Sequence, residues 1–268
     1  MSMLPPKLPS PAKDREVWPE IDRLTAVTSI DVRPCATWYA AVKVGFDYVV
    51  ALLALPFALV LIAFAALATK LTSPGPVFYT QTRLGLNGRK YKIIKIRSMH
   101  HNCEAKTGVQ WSQKGDSRVT RLGQILRVTH IDELPQLWNV LRGERSLVGP
   151  RPERPEVIAA KGLEQLVPGY RHRLLVKPGV TGLAQVQLPA DSDITGVRYK
   201  VVYDLYYVQN QSLLLDLRLI AATVLKAAGI GPRWIRRVFF LPNRTRVAEV
   251  FRENLGGGSG ELPQLQPA

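Results

Sequence analysis

Tyr48-Val49-Val50-Ala51-Leu52-Leu53-Ala54-Leu55-Pro56-Phe57-Ala58-Leu59-Val60-Leu61-Ile62-Ala63-Phe64-Ala65-Ala66-Leu67-Ala68-Thr69 carries no charge and is interrupted only by Pro56. A helix of about 20 apolar residues reaches across the hydrocarbon core of a bilayer. A proline near its middle removes one helical hydrogen bond and bends the axis. Two readings follow: a kinked single-pass anchor, which hydropathy by itself favours, and a hairpin that dips into one leaflet and returns. A buried helix of a soluble core fits less well, because polar residues are nearly absent around the stretch.

The flanks bear on that choice, since cytoplasmic flanks are the ones enriched in Lys and Arg. Lys43 precedes the stretch; Lys70, Arg83, Arg89, Lys90, Lys92, Lys95 and Arg97 follow it. The stronger excess places the C-terminal body in the cytoplasm, and Lys43 suggests the same side for the N-terminus. The chain has 268 residues, so about 195 lie beyond the apolar stretch, enough for one domain with its own core. A formal charge of +15 asks for an anionic partner: nucleic acid, anionic lipid or a phosphorylated substrate. Cys35 and Cys103 are the only cysteines, which excludes a disulfide framework or a Cys-rich zinc module. The apolar region begins too late for a cleavable signal peptide.

Along the chain, residues 1–42 read as a mobile extension with a short helix around Val17–Thr28, and 43–72 as the membrane segment. Residues 73–231 read as the cytoplasmic domain. Ser73-Pro74-Gly75-Pro76 stops the membrane helix. Val77–Thr82 and Tyr91–Arg97 are expected to form strands around Asn87-Gly88, a dipeptide that supplies positive φ in hairpins. Residues 100–117 read as a mobile loop, Val197–Gln209 and Leu213–Ala228 as the most periodic helices. Residues 232–255 form a basic amphipathic segment, and 256–268 a Gly-, Ser- and Pro-rich disordered tail.

Two motifs carry chemistry. In His130-Ile131-Asp132-Glu133-Leu134-Pro135-Gln136-Leu137, Pro135 suits a first helical turn and biases Leu134 away from αR, which puts Asp132 and Glu133 at or just before a helix N-terminus. There one carboxylate could face a reacting phosphorus while its neighbour holds Mg²⁺; the bland reading is an ordinary acidic helix start. In Gly143-Glu144-Arg145-Ser146-Leu147-Val148-Gly149-Pro150-Arg151-Pro152, prolines on both sides of Arg151 restrict its backbone. Its planar guanidinium is thereby presented with little entropy left to lose, as phosphate recognition requires. A rigid turn would explain the prolines but not the arginine.

These motifs, with Lys43 and Asp47, Pro56, Lys95-Ile96-Arg97-Ser98-Met99, Pro178-Gly179-Val180-Thr181-Gly182-Leu183-Ala184-Gln185-Val186, Asp204-Leu205-Tyr206-Tyr207-Val208, Ser212 and Leu215-Asp216, resemble the monotopic phosphoglycosyl transferases over about residues 43–228. That bacterial family begins capsule, exopolysaccharide and glycoprotein glycan assembly. The resemblance implies a mainly α, α+β cytoplasmic domain seated on the inner face of the bacterial cytoplasmic membrane by a re-entrant helix hairpin broken at Pro56. It implies transfer of a phosphosugar from a UDP-sugar to polyprenol phosphate with release of UMP. By the same analogy Asp132 is the nucleophile of a covalent intermediate and Glu133 the Mg²⁺ ligand. Arg127 and Arg151 match arginines associated with nucleotide and phosphate, Lys95 a basic position near the carboxylates, and Asp216 an acidic position near the site. Inner-leaflet anionic lipids and downstream glycosyltransferases are the further partners implied.

The chain departs from the family pattern at Val44, where Arg is usual, at Ile96 for Phe, at Arg145 for Met, and at Gln187-Leu188-Pro189, so the donor sugar is not transferable from a relative. His100, His101 and Cys103 are too few and too crowded for a metal cluster. Trp234, Ile235, Val238, Phe239 and Phe240 interleave with Arg233, Arg236 and Arg237, fitting either a segment on an anionic membrane surface or a core-docked helix with a basic outer face. A nucleic-acid binder would use the same net charge, but no binding module is present. A non-catalytic scaffold of a glycan assembly complex remains the alternative, and intact Asp132, Glu133 and Arg151 argue against it.

Overall fold

The computed structural model describes residues 32–34, 38–107, 115–189 and 193–253. The expectations for a helix around Val17–Thr28, for the extension before it, for residues 108–114 of the 100–117 loop and for the tail from Gly256 lie outside the described residues. Helix α1 (Trp38–Thr72) comes first. Its 35 residues would measure about 52 Å if straight, longer than a ~30 Å hydrocarbon core. It is one continuous helical element with Pro56 inside, not two helices joined by a turn.

The buried residues of α1 are Tyr39, Lys43, Asp47, Ala51, Ala58, Ala65 and Thr69, spaced by four or seven, which is a single helical stripe. Three of them are alanines, which lets the helix approach the domain closely along its length. Ala51 and Ala58 join the main core with Val140 and Val148, and Ala65 packs on Ile96 and Leu126. The rest of the surface is apolar and exposed, with Leu53 at 68%, Phe57 at 76% and Phe64 at 70%, so this is not the buried helix of a soluble core. It is the one helix among the described residues long and apolar enough to cross a membrane.

The hairpin forms where the Asn87-Gly88 signal places it. Strands β1 (Phe78–Leu84) and β2 (Lys90–Ile96) pair antiparallel from Phe78 opposite Ile96 to Leu84 opposite Lys90. Asn87 and Gly88 take φ of 54° and 77°. After a short helix α2 (Cys103–Thr107), α3 (Arg121–Thr129) leads through a 3-10 turn (Ile131–Gln136) into α4 (Leu137–Leu141). A two-stranded parallel pair follows: β3 (Ser146–Val148) beside β4 (Gly179–Thr181), with α5 (Pro155–Lys161), α6 (Leu163–Leu166) and a 3-10 turn (Tyr170–Leu175) between them. Helices α7 (Leu183–Gln187), α8 (Ile194–Asn210), α9 (Leu213–Ala227), α10 (Pro232–Val238) and α11 (Arg244–Glu253) complete a mostly helical α+β domain. Helix α8 is central: Tyr203, Leu205, Tyr207 and Val208 are each at most 1% exposed.

Candidate active site

Asp132 and Glu133 occupy the first turn of the 3-10 segment, immediately before α4. Leu134 and Pro135 both lie inside that turn, so Pro135 does not push Leu134 out of helical space; the turn absorbs the proline because tight 3-10 geometry is already the local state. What aims the carboxylates is the junction before them. His130 ends α3 with a left-handed φ of 57°, and Glu133 N–H donates to the His130 carbonyl at 3.1 Å.

Helix α3 is itself held tightly. Thr120 caps it by accepting from Gly123 N–H at 2.9 Å. A Cβ at Gly123 would stand 2.0 Å from the Ser98 carbonyl oxygen, so only glycine allows α3 to lie against the end of β2. That approach lets Arg127 Nε donate to Ser98 Oγ at 2.9 Å, with its charge in range of Asp132.

Cations from three elements converge on the pair. Lys95, from β2, places Nζ 2.5 Å from Glu133 Oε1, and Arg151 Nη2 lies 3.2 Å from the same oxygen. Both ion pairs use Oε1, which leaves Oε2 outside them. Asp132 Oδ1 is buried without a hydrogen-bond partner. The two neighbouring carboxyls therefore titrate apart. Burial pushes Asp132 up to about 6, against the pull of Lys95 and with the help of the Glu133 charge. Burial also acts on Glu133, but Lys95 and Arg151 outweigh it and hold that carboxyl well below the usual range. Burial lowers the Lys95 ammonium despite its bond to Glu133.

Arg151 is set by more than its flanking prolines. A Cβ at Gly149 would lie 2.4 Å from the Lys177 carbonyl oxygen, so the chain entering Pro150-Arg151-Pro152 runs hard against the approach to β4. Arg83 Nη1 donates to the Pro152 carbonyl at 3.0 Å, and Arg173 Nη2 donates to the Arg151 carbonyl at 2.9 Å. Arg173 is anchored in turn by Asp204 at 2.6 Å. A cleft bounded by Leu84, Arg151, Tyr170, Arg173 and Pro178 lies behind this turn, and neither carboxylate lines it.

Lys95, Arg127, Asp132, Glu133 and Arg151 are thus brought together, while Asp216 is not. Its carboxylate is fully buried and bonds to Tyr39, Lys43 and Tyr207, the Tyr39 and Tyr207 hydroxyls at 2.5 and 2.7 Å. It ties the start of α1 to α9, and Asp47 adds a second tie by accepting from Leu147 N–H at 3.1 Å. The resemblance put Asp216 near the site; its partners make it an anchor, because a fully buried carboxylate that already accepts from two hydroxyls and an ammonium is closed off from solvent. Sequence reasoning also missed Arg83, Arg173 and Arg145. The last, noted only as a departure from Met, is 3% exposed, donates to the Gly179 carbonyl and adds positive charge in range of Glu133. An arginine at a usually apolar position was the available signal.

Comparison with known proteins bears on this geometry. The family described as bacterial sugar transferase matches residues 38–229. An Aeromonas hydrophila protein named UDP-N-acetylgalactosamine-undecaprenyl-phosphate N-acetylgalactosaminephosphotransferase is 42% identical over 186 residues, 69% of this chain and 43% of its own length. The exopolysaccharide production protein PSS of Rhizobium leguminosarum is 45% identical over 185 residues, 68% of this chain and 92% of its own. A UDP-glucose:undecaprenyl-phosphate glucose-1-phosphate transferase of Caulobacter vibrioides is 45% identical over 169 residues, 61% of each chain. The match therefore spans under half of the Aeromonas relative and nearly all of the Rhizobium one. The chain belongs to the bacterial sugar transferase family of phosphoglycosyl transferase enzymes.

Proposed function

We propose that this chain transfers a sugar phosphate from a UDP-sugar to polyprenyl phosphate, the first membrane step of an exopolysaccharide or related glycan. The observation that carries this reading is the buried Asp132 carboxylate, with Oδ1 unpartnered, beside a Glu133 already neutralised by Lys95 and Arg151. Asp132 attacks the sugar-bearing phosphorus: a carboxylate oxygen to phosphorus bond forms, the bridging P–O bond breaks, and the electron pair leaves with UMP. A phosphate oxygen of the lipid then attacks the same phosphorus, and the aspartyl bond breaks to return the carboxylate. Arg127, Arg151 and Lys95 hold and neutralise the phosphate oxygens through both steps. The cations around Glu133 keep its charge from raising Asp132 further.

Mg²⁺ fits this donor set. It is commonly held by one or two carboxylates together with substrate phosphates, and Glu133, whose Oε2 lies outside both ion pairs, would hold it with the donor's phosphate oxygens while Asp132 Oδ1 stays open for attack. Bound there, it would withdraw charge from the diphosphate.

The same reading seats α1 as a re-entrant element with both ends on the cytoplasmic side. Supporting it, Lys43 near one end pairs with Asp216, and Ser73 just past the other accepts from Arg97 at 3.1 Å, so both ends grip one domain. A helix crossing the bilayer would carry one of these ends to the far side.

Incubating the purified protein with a panel of UDP-sugars, Mg²⁺ and undecaprenyl phosphate, and scoring UMP, tests the reaction. A donor labelled in the sugar-bearing phosphate should leave label on the protein when acceptor is omitted. Absence of UMP with every donor would overturn the proposal.

A further inference from the structure

The family match ends at residue 229, yet the chain goes on to build two further helices, α10 and α11, onto the domain. Their inward residues are firmly docked: Ile235 and Val247 are 0% exposed, Phe251 2%, and Gln187 donates to the Pro242 carbonyl at 3.1 Å. The core-docked reading of this segment therefore holds for one side of α10. Its other sides behave differently.

At 100° per residue, Arg233 and Arg237 lie opposite buried Ile235, and Trp234 and Val238 share the face beside them. Trp234 is 66% exposed, Val238 55% and Phe240, just past the helix, 80%. Large apolar side chains held in water by a well-anchored helix, next to arginines, are the composition of an interfacial helix. The helix before it extends the surface. Leu214, Leu217 and Val224 are exposed on one side of α9, opposite Leu215, Asp216, Leu219 and Ala222. Asp216 is the residue that holds Lys43 of the membrane helix, so the apolar side of α9 runs from the foot of α1 towards α10.

We propose that α10 is a second membrane contact, with Trp234, Val238 and Phe240 in the headgroup region of an anionic bilayer and Arg233 and Arg237 on lipid phosphates. Arginine charge selects anionic over zwitterionic lipid. The contact is independent of the catalytic residues.

The test uses the full chain in nanodiscs. With Cys35→Ser and Cys103→Ser as background, Val238→Cys is labelled with an environment-sensitive fluorophore. In phosphatidylglycerol/phosphatidylcholine discs its emission should shift to shorter wavelength and be quenched by lipids carrying a spin label near the headgroup. Iodide in solution should quench it little. Both signatures should weaken in phosphatidylcholine alone and with Arg233→Glu/Arg237→Glu. Emission that iodide quenches freely in the anionic discs, with no lipid quenching, would overturn the contact. UMP release by the same sample reports the catalytic reading separately.

Discussion

Lys95 Nζ sits 2.5 Å from Glu133 Oε1, joining the β1/β2 hairpin to the 3-10 turn that carries Asp132. The pair settles which of two adjacent carboxyls carries the negative charge most readily, and so divides their roles. Asp132→Asn keeps size and shape but has no anionic oxygen to attack phosphorus. Turnover should fall on the order of 10⁴-fold or more while circular dichroism stays unchanged. UMP release near the wild-type rate from this variant would remove Asp132 as nucleophile.

The pH profile follows from the same division. In the proposed reaction Asp132 must be ionised, and burial holds it at about 6, so kcat/KM should drop roughly tenfold per pH unit below that value. The decline is not unfolding. A carboxyl raised in the folded state makes the fold relatively more stable once protonated, and the depressed Glu133 loses its stabilising charge only well below 4.5. Glu133→Gln should cost much of the rate through loss of the proposed Mg²⁺ ligand, and because it also removes a repelling neighbour the residual activity should show its acid limb at lower pH; an unmoved limb would mean that another group sets it.

Arg151→Lys keeps a positive charge in a turn still set by Pro150, Pro152, Arg83 and Arg173. It loses the planar fork, and with it a charge-assisted hydrogen bond of roughly 1.5–3 kcal/mol, so kcat/KM should fall at least about tenfold. Steady-state kinetics with a thermal melt as control check this. Wild-type constants would leave Arg151 a turn residue only.

Asp216 as an anchor predicts a stability effect without a catalytic one. Asp216→Ala leaves Lys43 buried without its nearest partner and should cost about 3–5 kcal/mol. Lys43→Met/Asp216→Leu removes both charges and should recover much of that stability, read as the melting temperature in detergent. Activity per folded molecule in the double variant should stay near wild type. A stable but inactive double variant would return Asp216 to the site.

Re-entrant seating predicts that the N-terminal extension and the catalytic domain are both shielded in intact cells. After removal of Cys35 and Cys103, Ser10→Cys and Leu166→Cys should resist an impermeant maleimide until the cells are opened. Labelling at position 10 from outside would establish a single pass.

The apolar run, the β-hairpin at Asn87-Gly88, the helices over residues 194–210 and 213–227 and the Asp132-Glu133 pair were all legible in the sequence, because periodicity, turn chemistry and adjacent charges are local properties. Tertiary structure alone decided that α1 lies along the domain by a stripe of alanines, that Asp216 belongs to its foot and not to the Asp132-Glu133 pair, and that Arg83 and Arg173 grip the Arg151 turn. It also set Asp132 and Glu133 apart in acidity. Each of these depends on which distant groups share one desolvated space: Lys43 with Asp216 across 173 positions, Lys95 with Glu133 across 38. A charge's neighbours, and the burial that fixes its strength, exist only once the chain has folded.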